Sequence, residues 1–372
     1  MQTILIKNVQ LVDGSGGLAR KADVLVKKNK ISVVVDSINY KAKETIDAMG
    51  AYLAPGFIDI NNAADRTLDI FDSSYCGDLL KRGITSIIGG HNGFSLAPLI
   101  YGSLEAIRPW ADIRKINIDW HSLREFFKTF KRRKIGVNFG AFLGHTTVRY
   151  DIIHDAHKMV FRDLTQNELA VLNSMMNKNI NPPAGGGAFG ISIGLDHPFV
   201  SETSYFEIKK MAEIAAKAGG ILSYNLKDNK EGIVDSVKKA IFLAKETGVK
   251  MLINNFRPSE EAQKLIEENS GSADISFCDR DFICSENLPK FLESIGNENS
   301  MPIEEAIKKI TFAPASRIKL NKRGLVREGY FADLVLFRLE NGLKIQEVIL
   351  NGKRVVREGK FQNIINGEIL RM

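Results

Sequence analysis

Apolar and polar positions alternate through the first fifty residues: "TILIKNVQLVDGSG" and "ADVLVKKNKISVVVD" both carry the period of two that marks half-buried strands. The second run turns back on itself at Lys28-Asn29, a hairpin signal. The last fifty residues repeat the pattern in "ADLVLFRLENG" and "IQEVILNGKRVVREG", with a stronger hairpin signal at Asn351-Gly352. Strand-forming segments at both ends with a long middle between them predict that the termini build one β-sandwich together.

The middle changes period. Short apolar runs at Leu53 to Ile60, Thr85 to Gly89, Gly136 to Leu143, Phe189 to Leu195, Gly220 to Leu226, Lys250 to Asn255 and Asp274 to Cys278 read as strands covered on both faces. Helical stretches separate several of them, and Thr165 with Glu168 and Ser204 with Glu207 have the spacing of capping boxes. Repeated β and α units of this kind predict an α/β fold, a TIM-like (β/α) barrel. The pattern yields seven strands, one unit short of eight. Either the sheet has seven strands, or an eighth comes from a segment without a strand signature. The expected division is a composite sandwich of residues 1–53 and 318–372 around a barrel of residues 54–317.

Composition narrows the function classes. At 372 residues with 44% hydrophobic and 26% charged positions, the chain is globular, and no apolar run approaches the ~18 residues of a membrane span. Residues 1–8 lack the charged start and apolar stretch of a signal peptide, so a cytoplasmic protein is expected. Cys76, Cys278 and Cys284 are an odd set without CxxC spacing, which predicts reduced thiols and no thiolate zinc site. The net charge of +7 is scattered except in "FKTFKRRK", which reads as an exposed helix face without a recognition motif, so nucleic acid is not an expected partner. "PPAGGGAFG" is glycine-rich but lacks a Gly-Lys-Ser/Thr ending and leads into a strand, so it reads as a mobile loop entering strand four in preference to a phosphate loop.

"LIKNVQLVDGSG", "APGFIDI", "GITSIIGGHNGFSLAPL", "GAFLGHTTVR", "GAFGISIGL", "EEAIKKITFAPASRIKL" and "RGLVREGYFADLVLF", in this order, resemble the amidohydrolase superfamily, in particular the N-acyl-D-amino-acid deacylase (D-aminoacylase) group. The resemblance runs from Leu5 to about Asn351. It implies a TIM-like barrel with a small β-sandwich and zinc-dependent hydrolysis of amide C–N bonds at the C-terminal mouth of the barrel. Zinc serves such chemistry by lowering the pKa of bound water from roughly 15.7 to about 7, worth about 12 kcal/mol of hydroxide formation.

The same resemblance locates the family's metal ligands, and here the chain departs from the pattern. The H-x-H pair after strand one falls on Asn61 and Ala63, the strand-two cysteine on Asn92, the strand-five histidine on Asn225, and the strand-six histidine on Asn255 or its neighbour Asn254. A carboxamide offers a neutral oxygen and a nitrogen without a basic lone pair, so this set cannot hold zinc as imidazole and thiolate do. No cofactor is expected, and zinc only if a site has been rebuilt. The family aspartate, ligand and proton shuttle, matches Asp279 best, with Asp274 and Asp281 as alternatives.

The remaining candidates admit two readings. His91, His145 and His197 each follow a predicted strand, and with Asp279 or Asp65 they could form a rebuilt acid/base or metal site. Alternatively His145 hydrogen-bonds behind the site, His91 is a loop residue, and His197 replaces a family tyrosine. Arg149 and Arg257 could grip a carboxylate in a bidentate fork, or pair with loop aspartates. Asn61, Asn92, Asn225 and Asn255 could bind a neutral ligand, or could be what is left after metal loss. Catalytic roles are therefore assigned to Asp279 and His145, and substrate contacts to Arg257, Arg149, His197, Asn225 and Asn255. The expectation is an impaired or inactive homologue that binds a small carboxylate or amide or serves as a homo-oligomeric or partner subunit. The alternative is an active C–N hydrolase using His91, His145, His197 and Asp279.

Overall fold

The computed structural model describes every residue except 1, 154–161, 182–185, 198–199, 201–202, 228–231, 255–258, 285–286, 298–300 and 341. Both ends of the chain enter one nine-stranded sheet. The N-terminal part supplies β1 (Thr3–Leu11), β2 (Arg20–Lys27), β3 (Lys30–Val35), β4 (Glu44–Asp47) and β5 (Tyr52–Pro55). Far along the sequence, β14 (Leu334–Leu339), β15 (Leu343–Leu350), β16 (Lys353–Arg357) and β17 (Lys360–Phe361) complete it in the order β17-β16-β15-β14-β5-β1-β2-β3, with β4 on β1. The join is the antiparallel pairing of β5 with β14, Leu53 opposite Leu336. Alternate residues such as Ile4, Ile6, Val24, Val26, Leu334 and Leu336 form a separate apolar core for this sheet.

Between these ends lie the barrel strands β6 (Phe57–Asp59), β7 (Ile84–Gly89), β8 (Asn138–Ala141), β9 (Leu143–Gly144), β10 (Gly190–Gly194), β11 (Ile221–Asn225), β12 (Lys250–Ile253) and β13 (Ile275–Phe277). All their pairings are parallel, and β8 and β9 are one strand interrupted at Phe142, whose amide still donates to the Gly89 carbonyl at 3.0 Å. The described residues therefore give seven barrel strands.

The predicted first run, Leu53 to Ile60, divides in two. β5 belongs to the terminal sheet and only β6 to the barrel. The break falls at Gly56, where a Cβ would sit 2.2 Å from Thr85 Oγ1, so a larger residue would push the two sheets apart.

Helices α1 (Ser73–Lys81), α2 (Leu123–Arg133), α3 (His145–Ile153), α4 (Gln166–Ile180), α5 (Tyr205–Lys217), α6 (Gly232–Thr247), α7 (Glu260–Asn269), α8 (Asn287–Ser294), α9 (Ile303–Ile310) and α10 (Phe312–Arg317) complete the described fold. None is long and apolar enough to cross a membrane. The basic run lies on α2. A Ser122–Glu125 capping box starts that helix, Phe126, Phe127 and Phe130 are buried on one face, and Lys131, Arg132 and Arg133 sit in its last turn, where cations suit the helix dipole.

No described strand pairs β13 with β6. α9 and α10 pack against β6, and Ala315, Ile318 and Leu320 join Phe282 and Cys284 in the barrel interior beside Ile58, Ile88 and Leu252. Arg317 donates to the carbonyls of Met251 in β12 and of Asp274 just before β13. At the barrel floor the last residues leave the terminal sheet. Gly367 and Leu370 donate to the Ile135 and Phe139 carbonyls at 2.8 and 2.7 Å, and Leu370 reaches the barrel core. Beside it, buried Arg323 binds Asp333, Asn351 and Glu368, joining sheet to barrel.

Candidate functional site

Strand alternation decides which side chains reach the barrel mouth. In β11, Ile221 belongs to the barrel interior, whereas Leu222 and Tyr224 belong to the layer beneath the helices, so Ser223 and Asn225 face inward. These two residues are the centre of a polar network. Asn254, just after β12, donates through Nδ2 to Ser223 Oγ at 2.8 Å and to Asn225 Oδ1 at 3.1 Å. Asn225 Nδ2 donates to Asp196 Oδ2 at 3.2 Å, and Ser223 Oγ lies 2.8 Å from His91 Nδ1. Ser223 Oγ has a second lone pair beside the one that accepts from Asn254, so the direction of its bond with His91 Nδ1 follows the imidazole tautomer. Nε2 is buried without a hydrogen-bond partner of normal geometry. Burial pushes the His91 pKa down to about 3, against the pull of the Ile60 carbonyl and with the help of Arg66.

The loop after β6 is held by its own carboxylates. Asp59 accepts from the Asn61 amide at 3.1 Å and from Asn62 Nδ2 at 2.8 Å. Asp65 accepts from the Gly90 amide at 2.7 Å and packs its carboxyl group so closely on Gly89 that a Cβ there would sit 2.6 Å away. Burial raises the Asp65 pKa to about 6, opposed by the Gly90 and Arg66 amides. Asn61 is buried, Ala63 is half-buried, and Asn92 holds a left-handed backbone (φ 57°) with its buried Oδ1 unpartnered.

His145 opens α3 and is fully buried. Its Nε2 donates to Glu207 Oε1 at 2.7 Å, and Arg149 Nε donates to the same oxygen at 3.1 Å. Burial works against the charge on Glu207, but the His145 hydrogen bond and Arg149 hold its pKa below the usual carboxylate value. His197, half-buried, meets Phe94 edge-on at 5.0 Å. Asp279 is exposed, has a left-handed backbone (φ 63°) and accepts from Asn287 Nδ2 at 2.7 Å. Asp274 sits at the opposite end of β13, paired with Lys250 and Arg317, and Asp281 caps the Phe277 amide. His91, His145, His197 and Asp279 thus each have their own partners and are not brought into one cluster. Among the described residues no group of three or more His, Cys, Asp or Glu is placed to hold a metal ion. Asn255 and Arg257 lie outside the described residues.

Two features escaped the sequence. In sequence Glu207 has only the spacing of a cap residue, and its amide does bond Ser204 Oγ, but its carboxylate is taken by His145 and Arg149. The expectation of three reduced thiols is corrected: Cys278 and Cys284 are joined as a disulfide with Cα atoms 6.1 Å apart, because the turn between them doubles back through a bond from the Asp279 amide to the Phe282 carbonyl. Cys278 Sγ lies 3.6 Å from Asn254 Oδ1, against the network. Alkylation of denatured, unreduced protein is expected to label Cys76 alone, and all three cysteines after reduction. Three labelled cysteines without reduction would contradict the bridge.

A parallel barrel with a terminal sheet at its side and a polar mouth at the strand C-termini is the architecture of the amidohydrolases. In sequence the chain resembles the D-aminoacylases among them. The family model described as "Amidohydrolase family" matches residues 285–361. The chain is 28% identical over 262 residues to N-acyl-D-aspartate deacylase of Alcaligenes xylosoxydans xylosoxydans, covering 69% of this chain and 50% of that protein. With D-aminoacylase of the same organism it shares 26% over 281 residues, 73% of this chain and 56% of the relative. The chain thus spans about half the length of the curated relatives it matches. Its fold superposes on a crystal structure of D-aminoacylase with a TM-score of 0.83 at 20% identity, over 99% of both chains. The N-acyl-D-glutamate deacylase of Bordetella bronchiseptica, solved with zinc and a phosphonate mimic of the tetrahedral intermediate, gives 0.82 at 17% identity, again over 99% of both.

Proposed function

We propose that this chain is a catalytically impaired, metal-free relative of the D-amino-acid deacylases, which keeps the barrel as a binding or partner subunit. The observation that carries the reading is the carboxamide network. Asn225 and Asn254, at positions where the family resemblance implies imidazoles, bond each other, Ser223 and Asp196. Asn61, Ala63 and Asn92 complete a set of neutral oxygens and a methyl group. Such a set does not fit zinc, which takes anionic sulfur, imidazole nitrogen or carboxylate oxygen. The chemistry left at the mouth is hydrogen bonding. The amides suit a small carboxylate or amide ligand, with the unpartnered Nε2 of neutral His91 as a further hydrogen-bonding group.

Protein purified without chelator is expected to carry zinc and manganese far below one equivalent and to leave N-acyl-D-amino acids unhydrolysed, with or without added metal. Stoichiometric metal together with turnover that His145→Ala abolishes would overturn the proposal.

A further inference from the structure

Between β7 and α2 the chain runs through residues 90–122 with only single turns of helix, at Glu105–Ile107 and Ile113–Lys115. The neck of this excursion is closed. The Leu99 amide donates to the His121 carbonyl at 2.7 Å, Trp120 Nε1 donates to the Leu96 carbonyl at 2.6 Å, and Asp151 of α3 accepts from the Tyr101 amide at 2.9 Å. Joined ends around a long surface bulge give an enlarged Ω-type loop.

The loop is anchored unevenly. Ile107 and Trp120 are buried, whereas every residue of 108–119 between them is half-buried or exposed. Open cavities of about 510 and 640 Å³ flank Trp110, Ala111 and Asp112. Sparse burial marks a segment that opens locally at low free-energy cost, and the cavities give its tip room to move.

Trp110 carries the contact with the barrel mouth. Its ring meets Phe94, after β7, nearly edge-on at 4.7 Å and lies 5.9 Å from the His197 ring, after β10. The Arg66 guanidinium, after β6, sits 4.7 Å over the same ring. One side chain therefore bridges the loops that follow β6, β7 and β10. His197 is the neighbour of Asp196, whose carboxylate accepts from Asn225 in the polar network. Trp110 nevertheless stays 36% exposed, so ring contacts hold it without burying it. Such contacts are individually weak, which suits a latch that must release.

We infer that residues 108–119 are a lid and that Trp110 is the latch by which it closes the mouth: a ligand of the carboxamide network enters when Trp110 lifts from Phe94, His197 and Arg66. The purpose of the lid rests on the reading of the mouth as a binding site, whereas its motion does not.

Trp110 and Trp120 are the two tryptophans of the chain, so 5-fluorotryptophan labelling places one fluorine signal at the tip and one at the neck. In the full, ligand-free chain, relaxation dispersion on the microsecond to millisecond scale is expected for Trp110 and not for Trp120. His197→Ala, which removes part of the latch, should raise the lifted population at least threefold. Diethyl pyrocarbonate, which acylates imidazole, should modify His197 at least threefold faster in Trp110→Ala than in the parent chain, with exposed His121 as the reference. Circular dichroism melts establish that each variant is folded; if His197→Ala is not, the parent dispersion and Trp110→Ala, at an exposed position, decide. A Trp110 signal without dispersion, an unchanged lifted population in folded His197→Ala, or His197 acylation unchanged by Trp110→Ala would each overturn the lid. None of these readouts uses a ligand or a metal, so a fixed loop would leave the carboxamide reading standing, and a metal-loaded, active protein would leave the lid standing.

Discussion

Glu207→Ala is expected to cost about 3–5 kcal/mol of folding stability, because it strips the counter-charge from a buried cation. Glu207 and Arg149 are each 2% exposed and His145 is fully buried. The alanine variant removes the oxygen that Arg149 and His145 share and leaves the His145 Nε2–H without its acceptor, while Arg149 keeps its bond to the Arg162 carbonyl. Neither group reaches bulk water without moving α3 away from α5. Glu207→Gln keeps the shape and one acceptor oxygen and should lose less. Glu246→Ala, which removes exposed bonds to Lys209 and Tyr205, should stay within about 1 kcal/mol. Urea midpoints at unchanged slope measure all three. A Glu207→Ala loss no larger than that of Glu246→Ala would mean that solvent enters the site.

The second large effect is a pair of opposite pH dependences. Asp65 has its folded pKa raised to about 6, so its contribution to stability is present below its ordinary value near 3.8 and is lost as pH rises through 6. His91 has its folded pKa lowered to about 3, so its contribution is present above 6.5 and is lost as pH falls towards 3. Between about pH 4 and 6 the unfolded chain holds a proton on His91 and none on Asp65, while the folded chain does the reverse. The proton counts match, and the pair leaves stability flat across that window. Asp65→Asn should uncover the histidine limb, with stability falling on acidification from pH 6.5 to 4 by about 1.4 kcal/mol per unit. His91→Gln should uncover the aspartate limb, with stability falling by a similar slope from pH 4 to 6, about 3 kcal/mol in all. Denaturant titrations at five pH values decide the matter. Parallel profiles in the two variants and the parent chain would show that neither group is held neutral in the fold.

The barrel was legible in the sequence because its strands are short apolar runs and its helices carry caps, signals that depend on neighbours within a few residues. The split at Gly56 was not, since nothing local shows that Leu53 pairs with Leu336 while Phe57 starts the barrel. The disulfide was missed for a similar reason: six residues separate Cys278 from Cys284, and only the turn through Asp279 and Phe282 brings them together. The insertion of Leu370 into the barrel floor rests on bonds to residues such as Asn138, 230 positions away from Glu368. At the mouth, residue types were readable but roles were not. A capping-box spacing pointed to Glu207, yet its main partners, His145 and Arg149, lie some sixty residues back, at separations of 62 and 58.

The pairing of β5 with β14 also sets the order in which the chain can mature. A ribosome delivers β1 to β5 long before β14, so this half-sheet must wait, its β5 edge unsatisfied, while the whole barrel is translated. Newly made protein should therefore spend that interval as a client of chaperones that hold exposed strands. Stalling translation before residue 334 should leave the N-terminal segment open to proteases, and resuming it should restore protection in a single late step.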